Sequence, residues 1–246
     1  MKDSNISKKI AEGLISKKLN TIIEIGPGMG ILTQHLINNK TPTFFVEIDN
    51  DFVDYLNKKF PEIEKSIINK DFLKIDLDQF KPPIGLIGNF PYNISSQILF
   101  KLIENRKKTE ELVGMFQFEV AKRVCAPPGS KTYGILSVLV QAFYSTEFLF
   151  SLTPSHFNPP PKVDSGVIRL TKKNIDYLGC DEKLFFKIVK TSFQQRRKTL
   201  RNSLKSFNLS NNIKEGAIFE KRPEALSVDD FILLTNIIAD GTIPAY

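Results

Sequence analysis

The first half of the chain alternates between two patterns of apolar and polar positions. Short runs rich in β-branched residues, typical of buried strands, are followed by segments in which apolar residues recur at helical spacing. This alternation predicts parallel strands joined by crossover helices, and therefore a doubly wound α/β domain with a mostly parallel sheet. The predicted strands lie at 21–25, 43–48, 66–69, 85–89 and 111–117, and the predicted helices lie at 5–17, 31–39, 50–60 and 94–104.

The pattern changes in the second half. Two apolar runs flank a proline-rich loop and resemble a closing antiparallel strand pair, and beyond residue 181 helical spacing replaces the strand signals. The helix here is predicted at 134–144 and the two strands at 147–150 and 166–170. Because 246 residues exceed the roughly 100–200 of one domain, we predict an α/β domain at 1–176 and a smaller helical domain at 177–246.

The distribution of positive charge along the chain indicates a binding partner. The formal net charge of the chain is +7. The segment 182–205 accounts for that excess by itself, because it holds eight Lys and Arg residues against the single acid Glu182. Clustered like charges repel one another unless a partner neutralises them, so the segment indicates a polyanion such as a nucleic acid. A solvated helix face is the alternative.

Composition also excludes several classes of protein. No apolar run approaches the roughly 20 residues that span a bilayer, and the N-terminal residues lack the apolar core of a signal peptide. Two cysteines are too few for a disulfide framework, and together with two histidines they lack the spacing of a zinc finger. We therefore expect a cytoplasmic protein with reduced thiols, no membrane segment and no metal site.

A glycine-rich turn joins the first strand to the segment that follows. Gly26, Gly28 and Gly30 allow a sharp backbone turn and let a ligand approach the main chain closely. Such turns also serve dinucleotides or simply pack tightly, so the motif alone leaves those alternatives open. The spacing GxGxG lacks the third glycine position of GxGxxG, and no GKS or GKT follows, which disfavours NAD and P-loop nucleotides.

Two further strand ends carry carboxylates that suit a nucleoside. Glu47, next to Ile48, ends the second strand, where a carboxylate can accept both ribose hydroxyls; a solvent-exposed glutamate is the alternative. Asp71, next to Phe72, follows the third strand and can accept from an adenine amine beside an apolar wall, or cap a helix. Open α/β sheets bind ligands at the carboxyl ends of their strands, so the three strand ends together predict a cofactor site.

The fourth strand ends in Asn-Phe-Pro-Tyr, which suits an adenine amine as substrate. That amine is a poor nucleophile because its lone pair is delocalised into the ring. The side-chain oxygen of Asn89 and the backbone carbonyl of Pro91 can each accept one N–H and direct the lone pair toward a methyl group on sulfur. Tyr92 can stack on the flipped base. A turn that merely ends the strand is the alternative.

A second aromatic residue for the other face of the base lies in the proline-rich loop. Phe157 precedes three consecutive prolines, which would hold it rigidly. The chain contains 20 phenylalanines, so a core position is an equally good interpretation of this residue alone.

These segments resemble, in order, the motifs of the ribosomal RNA adenine dimethyltransferases, and the resemblance covers nearly the whole chain. The matching segments are GPGMGILT (26–33), Glu47, Asp71, NFPYNIS (89–95) and FNPPPKVDS (157–165). The resemblance implies a Rossmann-like, S-adenosylmethionine-dependent methyltransferase domain with a small C-terminal helical domain. It also implies the roles given above to Gly26, Glu47, Asp71, Asn89, Pro91, Tyr92 and Phe157.

The resemblance further implies dimethylation of two adjacent adenines in small-subunit (16S) ribosomal RNA, during ribosome biogenesis and on RNA or an immature small subunit. We expect a monomer. In the basic segment, we expect the RNA backbone to be bound by Arg196, Arg197, Lys198 and Arg201. The alternatives are methylation of a large-subunit adenine, as in the antibiotic-resistance branch, and an RNA-binding assembly or transcription factor that keeps the fold.

The resemblance has one departure at the N-terminus. Family members usually begin with a basic leader and a short Gln-(Asn or His)-Phe-Leu motif that helps cover the cofactor, directly before a segment like Lys2-Asp3-Ser4-Asn5-Ile6. This chain starts with Met1 at that point. We expect that it is a shortened form with reduced affinity for the cofactor.

Overall fold

The computed structural model describes residues 4–175 and 177–241. Lys2 and Asp3 of the segment that resembles the family's N-terminal motif therefore lie outside the described residues. The chain divides into two compact units. The sheet unit contains the described residues of Met1–Lys122 and Tyr144–Lys173, and the helical unit contains those of Arg123–Phe143 and Asn174–Tyr246.

This division differs from the sequence-based one in one respect. The chain returns to the helical unit at Asn174, close to the boundary expected at 177. The segment Arg123–Phe143, which the sequence analysis placed in the α/β domain, belongs to the helical unit. Its helix is almost wholly buried among apolar residues, so its periodicity could not reveal the unit to which it belongs.

Seven strands form one sheet in the described part of the sheet unit. They are β1 (Thr21–Ile25), β2 (Thr43–Glu47), β3 (Ile67–Asn69), β4 (Ile84–Asn89), β5 (Thr109–Gln117), β6 (Tyr144–Leu152) and β7 (Ser165–Lys172). Their order is β3-β2-β1-β4-β5-β7-β6. Strands β1 to β5 pair in parallel, and β7 pairs antiparallel with β5 and β6, which confirms the mostly parallel sheet and the closing antiparallel pair.

The helices follow the predicted positions with two exceptions. In the order of the chain they are α1 (Ser4–Ala11), α2 (Asn50–Lys59), α3 (Ser95–Glu104), α4 (Phe118–Val124), α5 (Ile135–Phe143), α6 (Glu182–Gln194), α7 (Leu200–Ser203), α8 (Asn211–Lys214) and α9 (Val228–Asp240). Asp49 begins α2 as expected of an N-cap, since its side chain accepts from the amides of Asp51 and Phe52. Among these described elements, no helix is long and apolar enough to cross a bilayer.

The helix expected at 5–17 ends at Ala11 instead. The buried carboxylate of Glu111 on β5 accepts hydrogen bonds from the amides of Ile15 and Ser16, at 3.1 and 3.0 Å. These tertiary bonds replace helical ones, and a side chain at Gly13 would lie 2.8 Å from Val113. The partner is 96 residues away along the chain, so apolar spacing could not predict this end.

The helix expected at 31–39 is a short 3₁₀ turn at Thr33–His35. The hydroxyl of Thr33 donates to the buried Glu24 at 2.8 Å, and the amide of Leu36 donates to the Thr33 carbonyl in a 3₁₀ bond. The segment then ends at two asparagines, whose side chains compete with the backbone for hydrogen bonds. The sequence-based prediction of a full helix here was wrong.

Candidate active site

The site lies where the strand order of the sheet reverses. β1 has β2 on one side and β4 on the other, so the chain leaves the sheet centre in both directions at this point. Crevices at the carboxyl ends of strands at such a switch point are the usual ligand sites of open α/β sheets. Two clefts of about 240 and 230 Å³ occur here, and both are lined by Gly26.

The two clefts contain most of the predicted cofactor residues, but Gly30, Tyr92 and Phe157 line neither of them. We call the larger the first cleft; its lining includes Gly26, Glu47, Ile48, Asp71, Phe72 and Pro91. The second cleft is lined by residues that include Glu24, Gly26, Gly28, Met29, Asn89 and Asn158. The strand ends named by the sequence analysis therefore do converge on one edge of the sheet.

The glycine turn needs its glycines for two different reasons. Gly26, Gly28 and Gly30 have φ values of 68°, 53° and 74°, which L side chains rarely adopt. At Gly30 space is also lacking, because a Cβ there would lie 2.4 Å from the ring of Phe60. No atom lies within 4 Å of a Cβ built at Gly28, so that glycine leaves its backbone open to a ligand. Gly30 thus allows the turn to pack against Phe60, and Gly28 keeps the turn accessible to a ligand.

Glu47 is buried and accepts three backbone hydrogen bonds. Its Oε2 accepts from the amide of Gly28 at 3.0 Å, and its Oε1 accepts from the amides of Ile48 and Asp49 at 2.9 and 3.1 Å. The residue is 6% exposed, so the alternative of a solvent-exposed glutamate is wrong. A carboxylate has about four lone-pair positions, and one therefore remains. The arrangement fits one ribose hydroxyl directly, and a second only if a backbone donor moves away.

Asp71 combines the two interpretations that the sequence left open. Its Oδ1 accepts from the amide of Leu73 at 2.9 Å and so caps the short 3₁₀ turn Phe72–Lys74. Its Oδ2 has no hydrogen-bond partner among the described residues, and Asp71 lines the first cleft. Phe72 is buried beside it, whereas Ile48 is 66% exposed at the opening. One oxygen thus builds the turn and the other faces no protein donor.

Lys101 on α3 is a residue that the sequence analysis missed. Its ammonium donates to the carbonyls of Leu73 and Ile75 at 3.0 and 2.5 Å and lies 5.3 Å from the centre of the Phe72 ring. Burial lowers the pKa of this amine, while nearby acids, among them Asp71, oppose that shift. Lys101 therefore holds the turn that forms one wall of the first cleft. No motif signals it, because its partners are carbonyl oxygens.

Glu24 was also missed as a site residue, although it stands inside the buried run TIIEI. It is 1% exposed and lines the second cleft, and the Thr33 hydroxyl donates to it at 2.8 Å. Burial raises its pKa to about 8, the hydrogen bond from Thr33 opposes this shift, and the charge of Glu47 adds to it. Among the described residues, no group of three or more His, Cys, Asp and Glu could hold a metal ion.

Asn89 ends β4 and is partly exposed at the second cleft. Its side-chain amide makes no hydrogen bond with any described residue. The following Phe90 is fully buried, and its ring occupies space left by two glycines. A Cβ at Gly114 would lie 2.0 Å from that ring, and one at Gly88 would lie 2.8 Å from it. The turn after β4 is thus anchored through Phe90, and the Asn89 amide remains available to a ligand.

The backbone acceptor expected at Pro91 is already in use. Its carbonyl accepts from the amide of Ile94 at 3.2 Å and from the hydroxyl of Ser95 at 3.3 Å, which occupies both lone pairs. The carbonyl of Phe90 accepts no hydrogen bond from the described residues. The carbonyl at which the sequence analysis expected an acceptor is therefore engaged, whereas the one before it is not, and Pro91 lines the first cleft.

Tyr92 is fixed through its hydroxyl. The phenolic oxygen lies 2.7 Å from the hydroxyl of Ser165, the first residue of β7, and either atom could be the donor. Ser165 also ends the FNPPPKVDS segment, so two motifs separated by 73 residues meet here. The sequence analysis gave no role to Ser165, and only its place at the end of a matching motif could have pointed to it.

Phe157 occupies the alternative position that the sequence analysis left open. Its ring is 6% exposed and belongs to the core cluster with Ile10 and Leu152. Stacking on a base would require the ring to leave this cluster. The expected stacking role of Phe157 is therefore not supported by the contacts of this residue, although its neighbour Asn158 lines the second cleft.

The four cations expected to bind RNA fall into two pairs. Arg196 donates to the Ser130 carbonyl at 3.3 Å and lies 3.9 Å from Glu224. Arg201 donates to the Lys214 carbonyl at 3.0 Å and forms an ion pair with Glu220. Arg197 and Lys198 are exposed, and their side chains have no partner among the described residues. Half of the expected RNA-binding set thus has structural contacts within the helical unit.

Comparisons with known proteins find relatives over nearly the whole chain. A family model described as ribosomal RNA adenine dimethylase matches residues 1–240. A protein of Flavobacterium johnsoniae named ribosomal RNA small subunit methyltransferase A is 54% identical over 98% of this chain and 94% of its own length. A solved dimethyladenosine transferase from Plasmodium falciparum is 27% identical, with a TM-score of 0.83 and 98% of both chains covered.

The same fold also occurs in a 23S rRNA methyltransferase, ErmE. It has a TM-score of 0.72 at 22% identity and covers 96% of this chain and 99% of its own. At that identity the likeness concerns the fold alone. Together with the Plasmodium falciparum structure, it confirms the expected Rossmann-like methyltransferase fold with a helical C-terminal part.

Proposed function

Since this chain belongs to the ribosomal RNA adenine dimethylase family, we propose that it dimethylates the exocyclic amines of two adjacent adenines in small-subunit ribosomal RNA. The observation that carries this proposal is the unpaired Asn89 amide at the end of β4, beside the cofactor clefts. The name of the Flavobacterium johnsoniae relative supports the small subunit as substrate. The methyl donor is S-adenosylmethionine.

The clefts contain the groups that this donor requires. The first cleft offers one free lone pair on Glu47 for a ribose hydroxyl and the unpaired Oδ2 of Asp71 for the adenine amine, with the buried Phe72 beside it. The second cleft offers the open space over Gly28 and the carboxyl of Glu24 to the polar methionine end. S-adenosylmethionine supplies an electrophilic methyl group on a sulfonium.

Two groups at the end of β4 activate the amine of the target adenine in the RNA. The Oδ1 of Asn89 and the carbonyl of Phe90 each accept one N–H, which draws the amine lone pair out of the ring and toward the methyl group. Neither group needs to take the proton during transfer, because the methylated amine is acidic and can lose its proton to water later. Pro91 holds the turn in which these two oxygens lie.

The ring of Tyr92 provides the surface on which the flipped base stacks. Its hydroxyl bond to Ser165 leaves both faces of the ring outside that contact. Phe157 would offer a second stacking surface only after its ring leaves the core cluster. Asn89 and Tyr92 therefore carry the substrate site in its present arrangement.

The helical unit supplies contacts to the RNA backbone. Arg197 and Lys198 are the exposed cations of the basic segment, and phosphate contacts of this kind position an RNA without specifying its sequence. The proposal places a monomeric enzyme in the cytoplasm, acting on small-subunit RNA or on an immature small subunit. Base choice then belongs to the sheet edge, where Asn89 lies.

Mass spectrometry of both ribosomal RNAs tests the proposal. Unmethylated small subunits and, separately, large subunits are incubated with the protein and S-adenosylmethionine carrying a deuterated methyl group. We expect two labelled dimethyladenosines in the small-subunit RNA and none in the large-subunit RNA. Label in the large-subunit RNA alone would contradict the substrate assignment. RNA binding without any label would make the protein a binding factor that keeps the fold.

A further inference from the structure

We propose that Ser165 is a positioning residue that holds the ring of Tyr92 in the orientation needed to stack on the target base. The inference rests on the proposed function and deepens it, because it adds a residue of β7 to a site otherwise built from the ends of β1 to β4. It starts from one contact, the 2.7 Å distance between the Tyr92 and Ser165 hydroxyl oxygens.

Ser165 is held in place by the sheet on both sides. It is fully buried, and as the first residue of β7 it pairs with Gln117 on β5 and with Leu152 on β6. The preceding Asp164 is tied as well, since its carbonyl accepts from the amide of Phe118 at 2.9 Å. A hydroxyl held on both sides by a sheet is a fixed reference point.

Tyr92, in contrast, stands on a short turn. It begins the 3₁₀ turn Tyr92–Ile94 between β4 and α3 and is partly exposed. Its hydroxyl makes no hydrogen bond with a described residue other than Ser165. Without that bond, the tilt of the ring is set only by packing along its length. The bond therefore adds a constraint at the end of the side chain farthest from the backbone.

This role concerns the substrate rather than the cofactor. Neither Tyr92 nor Ser165 lines the first or the second cleft. Loss of the bond should therefore leave cofactor affinity unchanged and reduce the rate of methyl transfer, because a mobile ring holds the amine less often in line with the methyl group.

A double-mutant cycle tests the proposal. The variants are Ser165→Ala, Tyr92→Phe and the double variant. The measured quantities are kcat and KM for labelling of unmethylated small subunits, the Kd for S-adenosylhomocysteine, and Tm. A neutral hydrogen bond of this kind corresponds to about a 2–10-fold effect on rate. We expect each single variant to lose that factor in kcat, and the double variant to lose no more than the worse single one.

The chain contains a matched control. The hydroxyls of Tyr144 and Thr109 also lie 2.7 Å apart, in a buried pair distant from the clefts. Tyr144→Phe should lower Tm without a fall in kcat measured well below that Tm. Ser165→Thr, which keeps a hydroxyl, should recover most of the rate lost in Ser165→Ala.

Two results would overturn the positioning role. The first is multiplication of the two single losses in the double variant. The second is a lower Tm for Ser165→Ala with kcat unchanged. Failure of the proposed function would look different, because the unaltered protein itself would then label no small-subunit adenine. If Ser165→Ala does not fold, Tyr92→Phe together with Ser165→Thr gives the same decision, since a full rate in Tyr92→Phe removes any need for the bond.

Discussion

The carboxyl edge of the sheet and the basic segment of the helical unit differ in how well residue type alone predicts which side chains are left available to a ligand. At the sheet edge, Glu47, Asp71 and Asn89 line the clefts where the sequence pattern expected them. In the basic segment, Arg196 and Arg201 contact acids and carbonyls of their own unit. A carboxylate at a strand end predicted a position in a cleft more reliably than an arginine in a positive cluster predicted a cation without protein partners.

Topology explains this difference. Parallel strands deliver their carboxyl ends to one edge, so residues that follow different strands must meet there. A helical segment imposes no such convergence, and its cations can pair with any acid that folding brings near. Glu220 and Glu224 lie outside the basic segment and were not part of its charge count. The excess of positive charge in the segment is real. The charge count does not show, however, which of its cations pair with acids elsewhere in the helical unit.

The largest expected effect is on the rate of methyl transfer and comes from a substitution at the sheet edge. Asn89→Ala removes a pre-positioned acceptor for the amine, which typically corresponds to roughly a hundredfold in rate. We expect kcat for labelling of small subunits to fall by about that factor, with an unchanged Tm and an unchanged Kd for S-adenosylhomocysteine. Activity within threefold of the unaltered protein would remove Asn89 from the catalytic site.

The next effect concerns a buried acid at the sheet edge. Glu24 at the sheet edge has its pKa raised to about 8 by burial, whereas a free glutamate titrates near 4.5. The folded state therefore holds a proton that the unfolded state releases. The contribution of Glu24 to the free energy of unfolding should therefore fall by up to about 1.4 kcal/mol per pH unit between about pH 4.5 and pH 8. Above that range this contribution should stay level.

Urea unfolding at pH 6 and pH 7 checks this sign. Glu24→Gln cannot ionise, so its stability relative to the unaltered protein should rise between these two pH values, by up to tenfold in the unfolding equilibrium constant. The exposed Glu62→Gln serves as control and should show no such gain. A constant difference between Glu24→Gln and the unaltered protein across this range would mean that Glu24 is already ionised at pH 6.

The smallest effect separates the two pairs of cations in the basic segment. Replacing Arg197 and Lys198 with Gln should flatten the slope of log RNA affinity against log salt by about 1.4–1.8, since each phosphate contact contributes roughly 0.7–0.9. For a twofold change in salt, this is about a threefold difference in affinity. Filter binding of small-subunit RNA between about 50 and 200 mM salt measures this slope. In this range the Debye length is about 10 Å, so exposed charges still act on nearby phosphates.

Arg201→Gln is the matched comparison, because it removes a cation that already has protein partners. We expect a lower Tm from the lost contacts to Glu220 and the Lys214 carbonyl, with little change in the salt slope. If Arg201→Gln instead flattened the slope as much as the Arg197 and Lys198 change, the two regions would not differ in the way described above.

Much of the fold followed from periodicity. The five parallel strands and the helices at 50–59 and 95–104 match their predicted positions within about two residues. In both misplaced helices, at 5–17 and 31–39, a buried glutamate is part of the cause. Glu111 ends α1 by accepting from Ile15 and Ser16, and Glu24 draws Thr33 inward where a helix was expected. Local propensity does not include such partners.

The sequence by itself determined which residue types stand at each strand end and turn. A glycine turn, two carboxylates and an Asn-Phe-Pro-Tyr segment follow successive strands, and parallel topology then obliges them to meet. This holds because the side-chain period is a local property of the chain, and because parallel strands bring their carboxyl ends to the same edge of a sheet. The convergence of these residues on one edge of the sheet was therefore predictable from the sequence.

Only the tertiary structure decided which atoms within those residues remain free. It engaged the Pro91 carbonyl in its own turn, buried the ring of Phe157 in the core and joined Tyr92 to Ser165. Each outcome depends on a contact between segments far apart in sequence or on the use of a lone pair by the backbone. A hydrogen-bonding group can serve a ligand only when folding has left it unpaired, and that is a property of packing rather than of residue type.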